Sequence, residues 1–517
     1  MQPRRSCIQT IDYFYSMSNI RRQSIISSVV IYIGFAIGLL NTYLFTKQGL
    51  FTDEQYGLYN AFIAVATMMM AFANLAMPAY IYKFFPYYNE HLTQKKNDLV
   101  TRALVISTIG FMLVVIAGIV FKGLVIRKYS EHSPQIISYY NWIFPLGFGF
   151  LIYTILEAYA WQLHKSIFTN YLKEVQWRLF TTVLIVLFAV GVIKNFDLFI
   201  KLFAFSLPCI AITLLLYLVV TKRIHFTFAA SKVTRRFSKS ILRLTTFVYA
   251  GSLIFTISQV FDSLVISAVL VDALGKLAVY SLAQNVASLI QAPQRGIVAA
   301  SIVHLSKAWK DKNLKTIQRI YQRSSLNQLI FAVGLFLLIW LNFIDAVNTF
   351  HLKQTYLNAY YVFLLLGATK VVDMGTGVNS QIIGTSTYWR FEMISGIILL
   401  SLMLPLNYIL TKRYDIIGPG MANLISITIY NLIRIIFLWK KFRLFPFTVQ
   451  SVYSIFIAGI CFTICYFLFL NIHGVPGLLL RSISFCILFG TAIIYFRLSP
   501  DVIPVWNTIK KRIGIKA

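Results

Sequence analysis

The sequence predicts an all-α protein that crosses a membrane about fourteen times, and three observations carry that expectation. Fourteen apolar stretches of about 20 residues fill almost the whole chain, each long enough to cross the ~30 Å hydrocarbon core as a helix. Hydrophobic residues make up 58% of the chain and charged residues 12%, far from the composition of a soluble domain. Lysine and arginine recur in alternate connections, with about three-quarters of the 47 on one side of such a layout.

The elements follow in order. An N-terminal arm, residues 1–23, carries Arg4, Arg5, Arg21 and Arg22. It lacks an apolar core, so it is not expected to be a cleaved signal peptide. A first lobe, 24–220, holds spans near 24–46, 58–83, 99–121, 139–162, 172–193 and 197–220. A basic connection, 221–242, leads to a second lobe, 243–438. Its spans lie near 243–270, 276–304, 322–342, 357–383, 389–410 and 416–438. Two further spans near 449–470 and 478–497 occupy 439–497, before a basic tail, 498–517. Each apolar run is bounded by charged or turn-forming residues, which fixes its approximate ends. Pro78, Pro145, Pro208, Pro293 and Pro405 lie inside spans, where each removes a backbone hydrogen bond and permits a kink. Gly34 and Gly38 have the spacing that favours close helix contact.

Loops rich in lysine and arginine resist translocation and meet anionic headgroups. Both termini are therefore expected on the cytoplasmic side of the membrane. The stretch from Lys307 to Arg323, with Trp309 inside it, reads as a helix lying on the membrane surface.

The net charge of +30 is spread over short loops that already need it for topology, so it does not argue for nucleic acid. Cys7, Cys209, Cys461, Cys465 and Cys486 make no metal spacing, and the seven histidines fall near span ends or in loops. No phosphate-cradling glycine loop is present. No connection exceeds about 25 residues, which leaves no room for a soluble active site and disfavours a membrane glycosyltransferase or polymerase. No cofactor is expected, and transport becomes the default reading.

Internal duplication fits that reading. After the first span, FTDEQYGLYNAFIAV leads through Gly57 to Tyr59; after the seventh, VDALGKLAVYSLAQNV leads through Gly275 to Tyr280. Each following helix contains a proline, Pro78 or Pro293. Spans 1–6 and 7–12 thus read as two six-helix lobes in parallel repeat, with two C-terminal helices appended, a transporter design that works by rocking.

The segments Phe261–Asp311, Asp373–Arg390 and Leu404–Ser426 (LPLNYILTKRYDIIGPGMANLIS) resemble the Wzx-type polysaccharide flippases of the multidrug/oligosaccharidyl-lipid/polysaccharide exporter superfamily. Where that family begins a helix with Gly-Ala-Ala, this chain reads Gly418-Pro419-Gly420. The resemblance implies flipping of an undecaprenyl-pyrophosphate-linked oligosaccharide repeat unit to the outer leaflet for O-antigen, capsule or other surface polysaccharide. It also implies polysaccharide polymerase and sugar transferases as partners beside the membrane lipids, and no nucleic acid. A lipid II flippase and a multidrug/cation antiporter of the same superfamily are the alternatives.

Such a substrate asks for a wet cationic chamber between the halves, open sideways to a prenyl tail. Charges inside spans are costly and mark the residues to watch. The candidate substrate-binding cations are Arg295, Lys370, Arg434 and Arg178. The candidate coupling or gating acids are Asp262, Glu157 and Asp373, with protons or sodium as the coupling ion. Lys370 and Asp373, three residues apart, also fit a local pair on one helix face.

Overall fold

The computed structural model describes residues 26–27 and 29–502, apart from the side chains of residues 295, 296, 299, 300 and 303. The N-terminal arm and most of the basic tail lie outside the described residues. The protein is all-α: among the described residues the sole extended pairing is a single bridge from Lys47 to Leu352.

Among the described residues eleven helices are long and apolar enough to cross a membrane, or twelve when one bent pair counts as a single span. The labels run α1 Val29–Thr46, α2 Asp53–Ala73, α3 Met77–His91, α4 Leu99–Val120, α5 Tyr140–Gln162, α6 Trp177–Ala189, α7 Phe196–Val220 and α8 Lys232–Val269. They continue with α9 Ala273–Ile290, α10 Gln294–Lys310, α11 Leu314–Thr349, α12 Ala359–Gly375 and α13 Asn379–Thr385. The last four are α14 Arg390–Tyr414, α15 Ile417–Phe442, α16 Val449–Leu468 and α17 Gly474–Tyr495.

The difference from fourteen uninterrupted spans has local causes. The fifth span starts with a π-helical turn, Tyr171–Gln176, which leaves α6 short. The eighth is cut at Pro293, which sits at the N-cap of α10. The tenth bends by 45° between α12 and α13. The second span is also cut. Leu75 and Ala76 take left-handed backbone conformations, and Asn74 Oδ1 accepts from Ala76 N at 2.8 Å. Pro78 therefore opens α3 rather than kinking a continuous helix. Lys307–Arg323 is not one surface helix: α10 ends at Lys310 and α11 begins at Leu314. Trp309 is packed on protein, donating to Ile382 O at 3.1 Å and meeting Phe442 edge-on.

At ~1.5 Å per residue, α8 and α11 are about 57 and 54 Å long, well beyond the hydrocarbon core. Residues 232–242 of the basic connection form the start of α8. The chain divides into two compact units inside that helix. Unit 1 runs to Thr46 and from Leu50 to Val260; unit 2 takes Lys47–Gly49 and everything from Phe261.

In unit 1, α2 begins with a full capping box, Thr52 with Gln55, and carries Asp53 and Glu54 in its first turn. The buried rings of Phe45, Phe51, Tyr56 and Phe199 pack together. Gly149 on α5 lies so close to Pro208 of α7 that a side chain there would collide with the proline ring. In unit 2, Gly418 backs onto the Leu410 carbonyl, so the Gly418-Pro419-Gly420 run serves a tight connection between α14 and α15. Large apolar side chains such as Ile109, Leu113, Phe456, Phe467 and Ile487 are exposed on the outer faces, as lipid-facing positions require.

The last two helices dock on α11. Cys461 and Cys465 of α16 and Phe485 and Phe489 of α17 join Leu326, Leu329 and Val333 in one apolar cluster. At the far end Arg481 pairs with Asp345 and donates to the carbonyls of Phe469 and Ile472, both at 2.9 Å. Asp345 also meets His473 Nδ1 at 3.1 Å. Both Asp345 and Arg481 are almost fully buried, so removing one strands the other. Asp345→Ala is expected to cost about 3–5 kcal/mol and lower the melting temperature of the purified protein. The double variant Asp345→Leu/Arg481→Met should recover most of that loss; an unshifted melt in the single variant would mean the pair anchors nothing.

Candidate functional site

In unit 2 a line of buried polar groups begins at Asp262, which is 3% exposed in the apolar C-terminal part of α8. Its carboxylate accepts from Tyr280 Oη of α9 at 2.5 Å, from Asn423 Nδ2 of α15 at 2.5 Å and from Asn407 Nδ2 of α14. Thr411, one turn further along α14, donates to Asn407 Oδ1 at 3.3 Å. Four helices thus meet on one carboxylate held by neutral donors. That is how an intramembrane charge avoids desolvation without a direct salt bridge.

The line continues through α12. Lys370 acts electrostatically on both Asp262 and Asp373, but its Nζ donates to Gln291 Oε1 at 2.9 Å. Gln291 in turn donates to Asp373 at 3.3 Å, so the two charges on α12 are bridged by an amide rather than paired on one helix face. Gln291 and Gln294 flank the Pro293 break, and both reach Asp373. Asn431 of α15 donates to the other Asp373 oxygen at 3.3 Å. Its carbonyl accepts from Thr376 at 3.0 Å and Asn379 at 2.8 Å.

Arg434 ends the line, 3% exposed. It pairs with Glu392 and donates through Nε to Ser395 and through Nη1 to Asn379, while the Tyr430 ring stacks 3.8 Å from its guanidinium carbon. Ser380 also donates to Glu392 at 2.6 Å. Arg434 is thus committed to internal partners instead of standing open to a ligand. The line carries three carboxylates and two cations among the described side chains. Arg295 lies in α10, but its side chain is outside the described residues.

Unit 1 has its own charged cluster. Glu157 on α5 is 7% exposed and meets Lys173 at 3.4 Å. Lys173 and Glu174 lie in the π-helical turn before α6, and Arg178, four residues on, holds Glu174 at 2.8 Å. The GxxxG face of α1 fits this pair. A Cβ on Gly34 would press on the Glu174 backbone, and one on Gly38 would lie 3.0 Å from Arg178 Nη1. Phe35 stacks against the same guanidinium.

Asn41 precedes Tyr59 by the same interval that separates Asp262 from Tyr280. It accepts from Thr182 at 2.7 Å and donates to Arg178 O at 2.9 Å. At this position unit 1 has a neutral amide where unit 2 has a carboxylate.

The structure therefore gathers Asp262, Lys370, Asp373 and Arg434 into one network. It gathers Glu157 and Arg178, with Lys173 and Glu174, into another. Sequence reasoning missed the neutral members Gln291, Asn379, Asn407, Asn423 and Asn431. Their trace was amides inside otherwise apolar spans. Among the described residues no group of three His, Cys, Asp or Glu side chains is placed to hold a metal.

Comparisons place this geometry. In fold, the chain is similar to a lipid II flippase in an inward closed conformation, with TM-score 0.74 and 15% identity over 93% of this chain and 100% of that one. It is also similar to an inward-facing multidrug resistance transporter of the MATE family in the MOP superfamily, with TM-score 0.59 and 15% identity over 80% of this chain and 99% of the other. A third likeness is an outward-facing multidrug resistance transporter of that same family, at TM-score 0.54 and 14% identity over 82% and 95% of the two chains. These likenesses show the fold. No curated protein matches the chain in sequence. The family model described as "Polysaccharide biosynthesis protein" matches residues 20–309, more than half of the chain. The chain accordingly belongs to the polysaccharide biosynthesis protein family, with a fold like those of the lipid II flippase and the multidrug resistance transporters.

Proposed function

We propose that this protein flips undecaprenyl-pyrophosphate-linked oligosaccharide repeat units from the cytoplasmic to the outer leaflet of a bacterial inner membrane. It does so by alternating access, in the assembly of lipopolysaccharide, O-antigen or another surface polysaccharide. The observation that carries the reading is the family match to polysaccharide biosynthesis proteins on a chain whose charges lie at membrane depth. A pyrophosphate crossing the bilayer needs intramembrane cations, since an unpaired anion there is prohibitively costly. Arg178 and Lys370 suit that role, because among the described residues each is anchored by a single hydrogen-bonding side chain, and Arg295 is the third candidate. The reaction makes and breaks no covalent bond, so the protein is a transporter rather than an enzyme.

Asp262 supplies the coupling. One carboxylate in the unit 2 line exceeds the cations among the described side chains, and a proton or a sodium ion would balance it. Asp262 is held at 2.5 Å by neutral donors from two other helices and by Asn407 from a third, against contacts of 3.3–3.4 Å at Asp373, so a monovalent cation can join it without displacing a salt bridge. Polysaccharide polymerase and sugar transferases are the expected partners on either side of the step. The likeness to a lipid II flippase favours peptidoglycan precursor as the second substrate to test.

Deleting the gene should leave viable cells whose surface glycan is lost and whose lipid-linked repeat units accumulate facing the cytoplasm, measured by extraction and mass spectrometry. Lethality with accumulated lipid II would select the second substrate; drug sensitivity with normal glycan would select the antiporter. Arg178→Gln should weaken retention of a pyrophosphate-bearing lipid by about tenfold, the value of one charge-assisted hydrogen bond. Unchanged retention would remove Arg178 from the substrate path. Asp262→Asn should leave the protein in the membrane but make flipping in proteoliposomes insensitive to pH and sodium gradients. Gradient-driven flipping at the native rate in that variant would assign coupling elsewhere.

A further inference from the structure

Unit 1 contains a groove of about 430 Å³ between the break in the second span, α4 and the first half of α8. Leu75, Met77, Ile106, Ile241 and Leu242 give it an apolar lining, and Tyr249 closes one end, donating to Phe72 O at 2.8 Å. Most hydroxyls on its walls are already used inside the protein. Tyr80 bonds Tyr88, Ser238 donates to Arg235 O, and Thr245 donates to its own helix. The interior thus suits hydrocarbon rather than sugar.

The mouth is different. Arg102, at the start of α4, lines the groove and donates through Nε to Asp98 at 2.6 Å. Asp98 is fully buried and also accepts from Thr234 Oγ1 at 2.8 Å and Ser231 N at 3.1 Å. It therefore clamps the start of α8 to α4 and fixes the arginine head at the mouth. No further hydrogen-bond partner of that guanidinium is present among the described residues. Along α8, Ser238, Leu242, Thr245 and Tyr249 form one helical stripe on the groove. Arg235 continues the stripe one turn before Ser238, Lys239 lies beside it on the flank that carries Thr246, and both are exposed. Three cations against one carboxylate leave the mouth strongly positive over an apolar slot.

We infer that this groove is a binding site for an anionic phospholipid, with the phosphate at Arg102, Arg235 and Lys239 and one acyl chain running along Ile106, Ile241 and Leu242. The charge selects this groove over the larger one of about 530 Å³ in unit 2. That groove lies between Phe331, Leu335, Phe485 and Phe489, and its polar end is the carboxylate of Asp501 with Asn327. Arg323 lies 3.5 Å from that carboxylate, so among the described residues this mouth carries one charge of each sign and no excess of cations for a phosphate. The inference is independent of which lipid-linked sugar the protein carries. Functionally, a bound lipid would tie the start of α8, the helix in which the two units meet in sequence, to the composition of the surrounding leaflet.

The test reconstitutes the full chain in vesicles of phosphatidylcholine doped with phosphatidylglycerol, extracts it gently, and counts retained lipids by native mass spectrometry. The wild type should retain phosphatidylglycerol in excess over its share of the vesicle. Arg235→Gln/Lys239→Gln should lower that excess by about fivefold per removed charge, from ~1 kcal/mol for each basic residue near an anionic surface. Leu242→Trp, at an exposed position that fills the slot, should lower retention of both lipids. The control pair Lys312→Gln/Lys315→Gln, two exposed cations of unit 2, should change nothing. Equal loss in the control pair, or no preference for phosphatidylglycerol in the wild type, overturns the site.

Discussion

A charge inside a bilayer must bring its own solvation, and the unit 2 architecture is organised around that requirement at Asp262. Three neutral donors from three other helices converge on this carboxylate, so α8, α9, α14 and α15 are held at one point. Hydrophobic burial between helices is weak guidance in lipid, where the surroundings are as apolar as the core. A buried polar hub gives the register that packing alone does not, because slipping any one helix would strand a donor or the carboxylate.

The helix breaks extend the same logic. An interrupted helix frees backbone groups and opens space for polar side chains, which is tolerated only where protein surrounds it. At Pro293 the flanking glutamines turn this to use: both reach Asp373, and Gln291 bridges it to Lys370. At Asn74 the side chain satisfies the break itself, and α4 approaches so closely that a Cβ on Gly110 would press on the Ala73 carbonyl. Unit 1 meets the charge constraint differently. Glycines on α1 make room for an ion pair on the neighbouring turn, and a neutral Asn41 sits where unit 2 carries Asp262. On the proposed function, this asymmetry would assign anion recognition to one lobe and ion coupling to the other.

Much of the fold was legible because membrane helices advertise themselves by length and hydropathy. Fourteen apolar runs were visible, and helix occupies each of them, though four are bent, cut or begun by a π-turn. Those interruptions were harder to read. Pro293 was conspicuous, but the left-handed pair Leu75 and Ala76 has no residue signature, and neither has the π-turn at Tyr171–Gln176, whose Lys173 and Glu174 pair with Glu157 and Arg178. The site was partly legible for a similar reason. Ionisable residues in apolar runs stand out, so Asp262, Lys370, Asp373 and Arg434 were found. Their wiring, set by long-range contacts between helices, was not. Arg434 reads as a free cation until Glu392, Ser395 and Asn379 are seen around it. Lys370 and Asp373 read as a helix-face pair until Gln291 is found between them.

If Asp262 couples transport, this carboxylate is where a cation enters the unit 2 network. Infrared difference spectroscopy on the reconstituted protein tests it most directly, by following the protonated carboxyl stretch as pH is lowered with and without sodium. A carboxyl band should grow on acidification, be suppressed by sodium and disappear in Asp262→Asn. A band of undiminished intensity in that variant would contradict it.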